Sequence, residues 1–189
     1  MIHFFLHWWK SYLETNKNKI FFQILCNHWS KLLIFPFAWN DELQEFEKHK
    51  HNFIKNNPDT PLSFTSASHD ISQLIEQIKT NDILYFPWWN PHTYFDVINK
   101  IENFKEFLQN KIVAWTSWWA IMWSKAYYSS NSGNLKSWNG FIPVKMIAHR
   151  WAEKYPLAWR EEKAELLDAY WEKLPIVKIP EQEYIEFII

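Results

Sequence analysis

Only two glycines, Gly133 and Gly140, occur among 189 residues, whereas glycine ordinarily makes up roughly 7% of a chain. That scarcity excludes the glycine strings that cradle phosphates: no Rossmann fingerprint and no P-loop can be read. Cysteine is limited to Cys26, which excludes an internal disulfide and suits a reducing compartment. Arginine is limited to Arg150 and Arg160. Neither sign of charge is in excess: 20 Lys and Arg stand against 21 Asp and Glu, for a net charge of −1 and a pI near 6.7. Nothing here makes an electrostatic case for nucleic acid or an anionic membrane. Long apolar runs are missing too. The segment Met1–Trp9 is apolar but carries His3 and His7, has no basic flank, and is too short to span a bilayer. The expectation is a cytoplasmic protein with one domain over residues 1–189. His3, His7, His28, His49, His51, His69 and His92 show no H-x-x-H or H-E-x-x-H spacing, so neither a metal nor any other cofactor is expected.

What the chain has instead is tryptophan, at fourteen positions. Several stand where backbone geometry asks for glycine. Trp8, Trp9, Trp39, Trp88 and Trp89 follow apolar runs, Trp29 and Trp171 close helical stretches, and Trp115 and Trp119 flank a serine. A site just past a helix end takes left-handed backbone, which glycine adopts freely and a bulky side chain adopts at a cost of roughly 1 kcal/mol or more. Most of these tryptophans therefore read as UGA codons of a genome that translates UGA as glycine. The rival reading is a tryptophan-rich protein whose indoles stack on sugar rings.

Short β-branched or aromatic runs alternate with longer amphipathic stretches, the pattern of a mostly parallel α/β sheet. Strands are expected at 2–7, 31–37, 62–66, 83–87, 111–114, 144–147 and 176–179, with a last short one at 184–188. Helices are expected at 11–27, 41–56, 70–79, 91–110, 118–129 and 160–170. Ser68 and the pair Asn40–Asp41 are placed to cap two of them. The charged block Glu45–His51 reads as a solvated helix face. The polar stretch 129–140, which holds both glycines, reads as a loop.

The segment Lys111-Ile-Val-Ala-Trp-Thr-Ser117-Trp-Trp-Ala-Ile-Met122 carries the chemistry. A strand runs straight into a helix with a serine at the turn. A nucleophile elbow needs small residues two before and two after that serine, because strand and helix backbones nearly touch there. Those positions are Trp115 and Trp119. Read as glycine they complete a G-x-S-x-G; read literally they leave a serine that merely caps a helix.

With glycine at the tryptophans, the chain resembles the peptidase E family of serine peptidases over nearly its whole length. The elements are Phe4-Phe5-Leu6-His7-Trp8-Trp9, Tyr85-Phe86-Pro87-Trp88-Trp89-Asn90, the turn at Ser117, Phe141–His149, Trp159-Arg160-Glu161-Glu162-Lys163 and Ile179-Pro180-Glu181. The resemblance implies a three-layer, flavodoxin-like fold of the class I glutamine amidotransferase type. It implies that Ser117 attacks the scissile carbonyl, that His149 takes its proton, and that Glu181 orients the imidazole. The competing acids Glu165 and Asp168 stand at helical spacing from Arg160 and read as solvated face. Backbone N–H groups of Trp118 and of the Trp88–Trp89 turn would receive the oxyanion, each worth roughly 3–4 kcal/mol of barrier. Asn90 and Arg160 would bind substrate, Arg160 facing an acidic N-terminal side chain. The implied partner is a short peptide, of the Asp-Xaa type. A non-catalytic member of the same fold, with an inert Ser117, is the alternative within the family.

Overall fold

The computed structural model describes residues 1–7, 15–27, 29–37, 40–87, 91–116, 123–129, 134–137, 140–148, 157–170, 172–179 and 184–189. At 91, 92, 95, 129, 148, 157–161 and 179 it describes the backbone alone.

Strands β1 (His3–His7), β2 (Lys31–Ile34), β3 (Ser63–Ser66), β4 (Ile83–Phe86) and β5 (Ile112–Thr116) line up in parallel, and β10 (Tyr184–Ile188) closes one edge antiparallel to β1. The order across this six-stranded sheet is β10-β1-β5-β4-β2-β3. β4 and β5 are buried throughout, as expected of parallel strands covered on both faces. The two-residue period then sorts their side chains. Phe5, Leu32, Ile34, Tyr85 and Ala114 pack on one side with Phe21, Phe22 and Leu25 of helix α1 (Asn16–Cys26) and with Phe46 and Phe53 of α2 (Glu42–Asn56). Leu33, Leu84, Phe86, Val113 and Trp115 pack on the other with Leu74 and Ile78 of α3 (Ile71–Thr80), Tyr94 of α4 (Pro91–Ile98) and Phe104 of α5 (Phe104–Phe107). This is the expected mostly parallel, three-layer α/β architecture.

A second, four-stranded sheet runs in the order β7-β6-β8-β9, from β6 (Ser124–Ser129), β7 (Asn134–Ser137), β8 (Ile142–Ala148) and β9 (Ile176–Ile179). Here the structure corrects the sequence. The helix expected over 118–129 is strand from Ser124 on, and the loop expected over 129–140 contains an antiparallel partner, β7. The run Lys125-Ala-Tyr-Tyr has no strict alternation, so tertiary pairing with β8 decided its state. Tyr127, Ile142, Val144 and Met146 join the core cluster that holds Phe4, Leu6 and Trp115. The last helix, α6 (Leu157–Ala169), packs on this sheet through Leu167.

Helix starts are fixed by ordinary capping. Asp41 accepts from Gln44 N at 2.9 Å, and Asp70 accepts from Gln73 N at 2.8 Å. Ser68, expected to cap α3, instead accepts from the backbone N–H of Asp70 at 3.1 Å. The helix expected over 91–110 breaks into α4 and α5, with Asn103 in left-handed backbone at φ 53°. Two buried lysines bind helix C-terminal ends: Lys111 donates to the carbonyls of Lys79 and Asn81, and Lys145 to those of Leu167 and Asp168. No helix among the described residues is long and apolar enough to cross a membrane.

The backbone at the described tryptophans also corrects an expectation. Among the described residues the non-glycine positions with positive φ are Asn103 and Asn110. Trp29 is therefore not in left-handed backbone, because α1 ends through Asn27 in right-handed geometry. Trp171 lies outside the described residues.

Buried His7 supplies a pH-dependent element of stability. Desolvation, outweighing the Asn18 side chain beside it, lowers its pKa from 6.5 to about 4. Between those values the unfolded chain takes up a proton that the folded chain refuses, so stability falls as pH drops from 6.5 towards 4. The full loss is about 3 kcal/mol. Thermal unfolding at pH 7.5 and pH 5 should show a fall in Tm that is smaller in His7→Gln; an equal fall in both would assign the acid sensitivity to other groups.

Candidate active site

The parallel register sets the ends of β1, β5 and β4 side by side: His7 pairs with Thr116, and Trp115 with Phe86. In the second sheet Ala148 pairs with Ile179, the last residues of β8 and β9. These ends lead to the residues singled out in the sequence. Ser117 and Trp118 follow Thr116, Trp88, Trp89 and Asn90 follow Pro87, His149 follows Ala148, and Glu181 comes two residues after Ile179. All seven lie outside the described residues. Arg160 is described in its backbone, within α6, and Glu165 and Asp168 of the same helix are exposed. His92 falls in the first turn of α4. Cys26 ends α1 with its thiol buried and its pKa pushed up to about 12 by desolvation, which leaves it an unreactive thiol.

Two tyrosines hold the strand ends that approach the candidate site. The Tyr94 hydroxyl lies 3.0 Å from both the Phe35 and Pro87 carbonyl oxygens, tying the end of β4 at Pro87 to α4. Burial keeps this phenol protonated, raising its pKa well above 10. On the opposite face, the Tyr85 hydroxyl lies 3.2 Å from Thr116 Oγ1 and 3.4 Å from His49 Nδ1. His49 Nε2 in turn lies 3.3 Å from Glu45 Oε2, which also meets Lys48 Nζ at 3.1 Å.

This polar chain corrects the reading of Glu45–His51 as a solvated face. Glu45 is 7% and His49 5% exposed. The signal was present: residues 45, 49 and 53 recur at i and i+4 on one helix face, and Phe46 and Phe53 flank His49. Burial lowers the His49 pKa more than Glu45 raises it, so the ring is neutral. Burial alone would raise the Glu45 pKa, but hydrogen bonds from His49 and Lys48 hold it below the ordinary carboxylate range.

Trp115 occupies the position two before Ser117 and is 0% exposed. Its ring stacks on Phe86 at 4.8 Å and 11°, and meets Tyr94 at 5.1 Å and Trp123 at 5.6 Å. The indole is therefore taken into the core, and β5 stays in register through it. Trp123 is buried as well, and Trp29 is half-buried against the His3 ring at 6.0 Å. Buried indoles cannot stack on sugars, so neither Trp115 nor Trp123 supports a carbohydrate platform.

A shallow cleft of about 290 Å³ lies between Ile98, Phe104 and Phe141. Among the described residues its lining holds no serine, cysteine, histidine or carboxylate. Among the described residues no three His, Cys, Asp or Glu side chains gather as a metal site.

No family model matches the sequence, and no curated protein matches it. Its fold does match solved structures. A peptidase from an acI-B1 Actinobacterium superposes with a TM-score of 0.64 at 17% identity, over 99% of this chain and 84% of that one. A candidate peptidase E protein from Listeria monocytogenes EGD-e superposes with a TM-score of 0.61 at 15% identity, over 100% of this chain and 99% of that one. The chain thus has the flavodoxin-like α/β fold of peptidase E-type proteins.

Proposed function

We propose that the natural product of this gene is a serine exopeptidase acting on short peptides, with N-terminal Asp-Xaa dipeptides as the substrate class. Ser117 is the nucleophile, His149 the general base and then the general acid, and Glu181 the carboxylate that orients and stabilises the imidazolium. Backbone N–H groups of residues 118 and 88–89 receive the oxyanion. Asn90 and Arg160 bind the peptide, Arg160 through a carboxylate. No cofactor, nucleic acid or membrane takes part.

The observation that carries this reading is the pairing of strand ends. The segments bearing the nucleophile and the oxyanion turn leave the adjacent parallel strands β5 and β4. Those bearing the base and its carboxylate leave the adjacent parallel strands β8 and β9. Open α/β sheets place their ligands outside such carboxyl ends. The two peptidase folds that superpose on the chain support the same reaction class.

A serine-directed fluorophosphonate tests the assignment in chain made with glycine at the tryptophan positions. One adduct at Ser117, lost in His149→Ala, is expected together with hydrolysis of an Asp-Xaa dipeptide. Absence of label at Ser117 in folded protein, or labelling that His149→Ala leaves unchanged, would favour an inert binding member of the fold.

A further inference from the structure

The chain Glu45–His49–Tyr85–Thr116 belongs to no part of the catalytic assignment, yet it ends on the residue bonded to Ser117. Its polarity can be read from donor and acceptor roles. An ionised Glu45 only accepts, so His49 Nε2 carries the proton, and the neutral ring leaves Nδ1 as an acceptor. Tyr85 must then donate to Nδ1, and Thr116 Oγ1 donates to the Tyr85 oxygen. All four residues are buried: Tyr85 is 0% and Thr116 2% exposed. The chain crosses from α2 through β4 to β5, three elements distant in sequence.

A hydrophobic side chain at position 49 would pack against the Tyr85 ring with no need of polar partners. A buried carboxylate and imidazole are costly unless fully hydrogen-bonded. Here each finds its partner along one line, and that line ends on the Thr116 hydroxyl.

We propose that Glu45, His49 and Tyr85 are positioning residues, a buried relay that anchors Thr116 and so holds the strand end from which the nucleophile departs. The proposal rests on the peptidase reading only for the identity of that nucleophile. The relay stiffens the end of β5 on its α1–α2 face, while Tyr94 holds the Pro87 carbonyl at the end of the neighbouring β4 on the opposite face. A serine that must meet a carbonyl within a fraction of an ångström gains from such support on both sides.

Two measurements separate this proposal from the peptidase reading. The first is hydrogen exchange of the peptide spanning 112–122, in the full chain as sequenced. Tyr85→Phe keeps the ring contacts with Phe22 and Phe53, Thr116→Val keeps the shape, and Thr116→Ser keeps the hydroxyl. Tyr85→Phe and Thr116→Val should speed local exchange about tenfold, with Thr116→Ser close to wild type and β1 and β2 amides unchanged. Unaltered exchange, or an increase spread evenly over the sheet, overturns the relay. Should Thr116→Val fail to fold, the comparison of Tyr85→Phe with Thr116→Ser still decides it.

The second measurement is fluorophosphonate labelling in the glycine-bearing chain. The inactivation rate constant should fall about tenfold in Tyr85→Phe and stay close to the parent's in Thr116→Ser, with the inhibitor's binding constant unchanged. Equal rates in all variants overturn the link to the nucleophile. If the parent takes no label while Tyr85→Phe still loosens 112–122, the peptidase reading fails and the relay stands.

Discussion

Ser117→Ala is expected to lower kcat for Asp-Xaa hydrolysis by about 10⁶, leaving the roughly 10³–10⁴ over water that binding and an oxyanion hole provide. His149→Ala should cost about as much, and the double variant no more than either single one, because nucleophile and base act as a unit. Glu181→Gln keeps the shape but holds the wrong tautomer of His149, for a loss of about 10⁴. KM should stay nearly constant across the series. The geometry behind this expectation is modest but specific. β8 and β9 end in register at Ala148 and Ile179, which gives His149 and Glu181 neighbouring points of departure. Glu165 and Asp168 lie exposed on α6, facing solvent. Full activity in Glu181→Gln together with a large loss in Asp168→Asn would move the carboxylate to the helix.

Exchanging tryptophan for glycine at 88, 89, 115, 118 and 119 should also have a large effect. Chain with glycine there should hydrolyse Asp-Xaa peptides, and chain with tryptophan should show at least about 10³-fold less, because an elbow cannot form between bulky residues. Stability should move the other way at position 115. Its indole is fully buried among Phe86, Tyr94 and Trp123. Trp115→Gly alone, in the tryptophan chain, should therefore cost about 4 kcal/mol through the cavity and the added backbone freedom. Urea unfolding and a dipeptide assay on the same proteins read both effects. Equal hydrolysis by the two chains would refute the steric requirement. The intact mass of protein from its native source is the most direct check, since the full tryptophan chain weighs 23.2 kDa and each glycine in its place makes it lighter.

The proposed need for glycine rests on the elbow at Ser117. Trp29 sits half-buried without left-handed geometry, and Trp159 lies within a helix. Trp29 is accommodated as aromatic packing against the His3 ring. The elbow is a separate demand, set by how closely two backbones approach.

How far a single sequence could be read depended on which interactions decide each element. Local signals were enough for the six-stranded sheet. The apolar runs at β1, β2, β4 and β5, the amphipathic stretches between them, and the cap at Asp41 each satisfy a nearest-neighbour rule, and all appear in the structure. The motifs around 87–90, 117, 149 and 181 came from the family resemblance, and residues 88–90, 117, 149 and 181 themselves lie outside the described residues. Tertiary structure alone decided the rest. Ser124–Ser129 became a strand because β8 and β7 offered it hydrogen bonds that the sequence does not announce. Glu45 and His49 left solvent because the sheet supplied Tyr85 and Thr116 as partners, and burying such groups is tolerable only when those partners lie in place. Periodicity tells a residue which face it occupies; only packing tells it whether anything is waiting there.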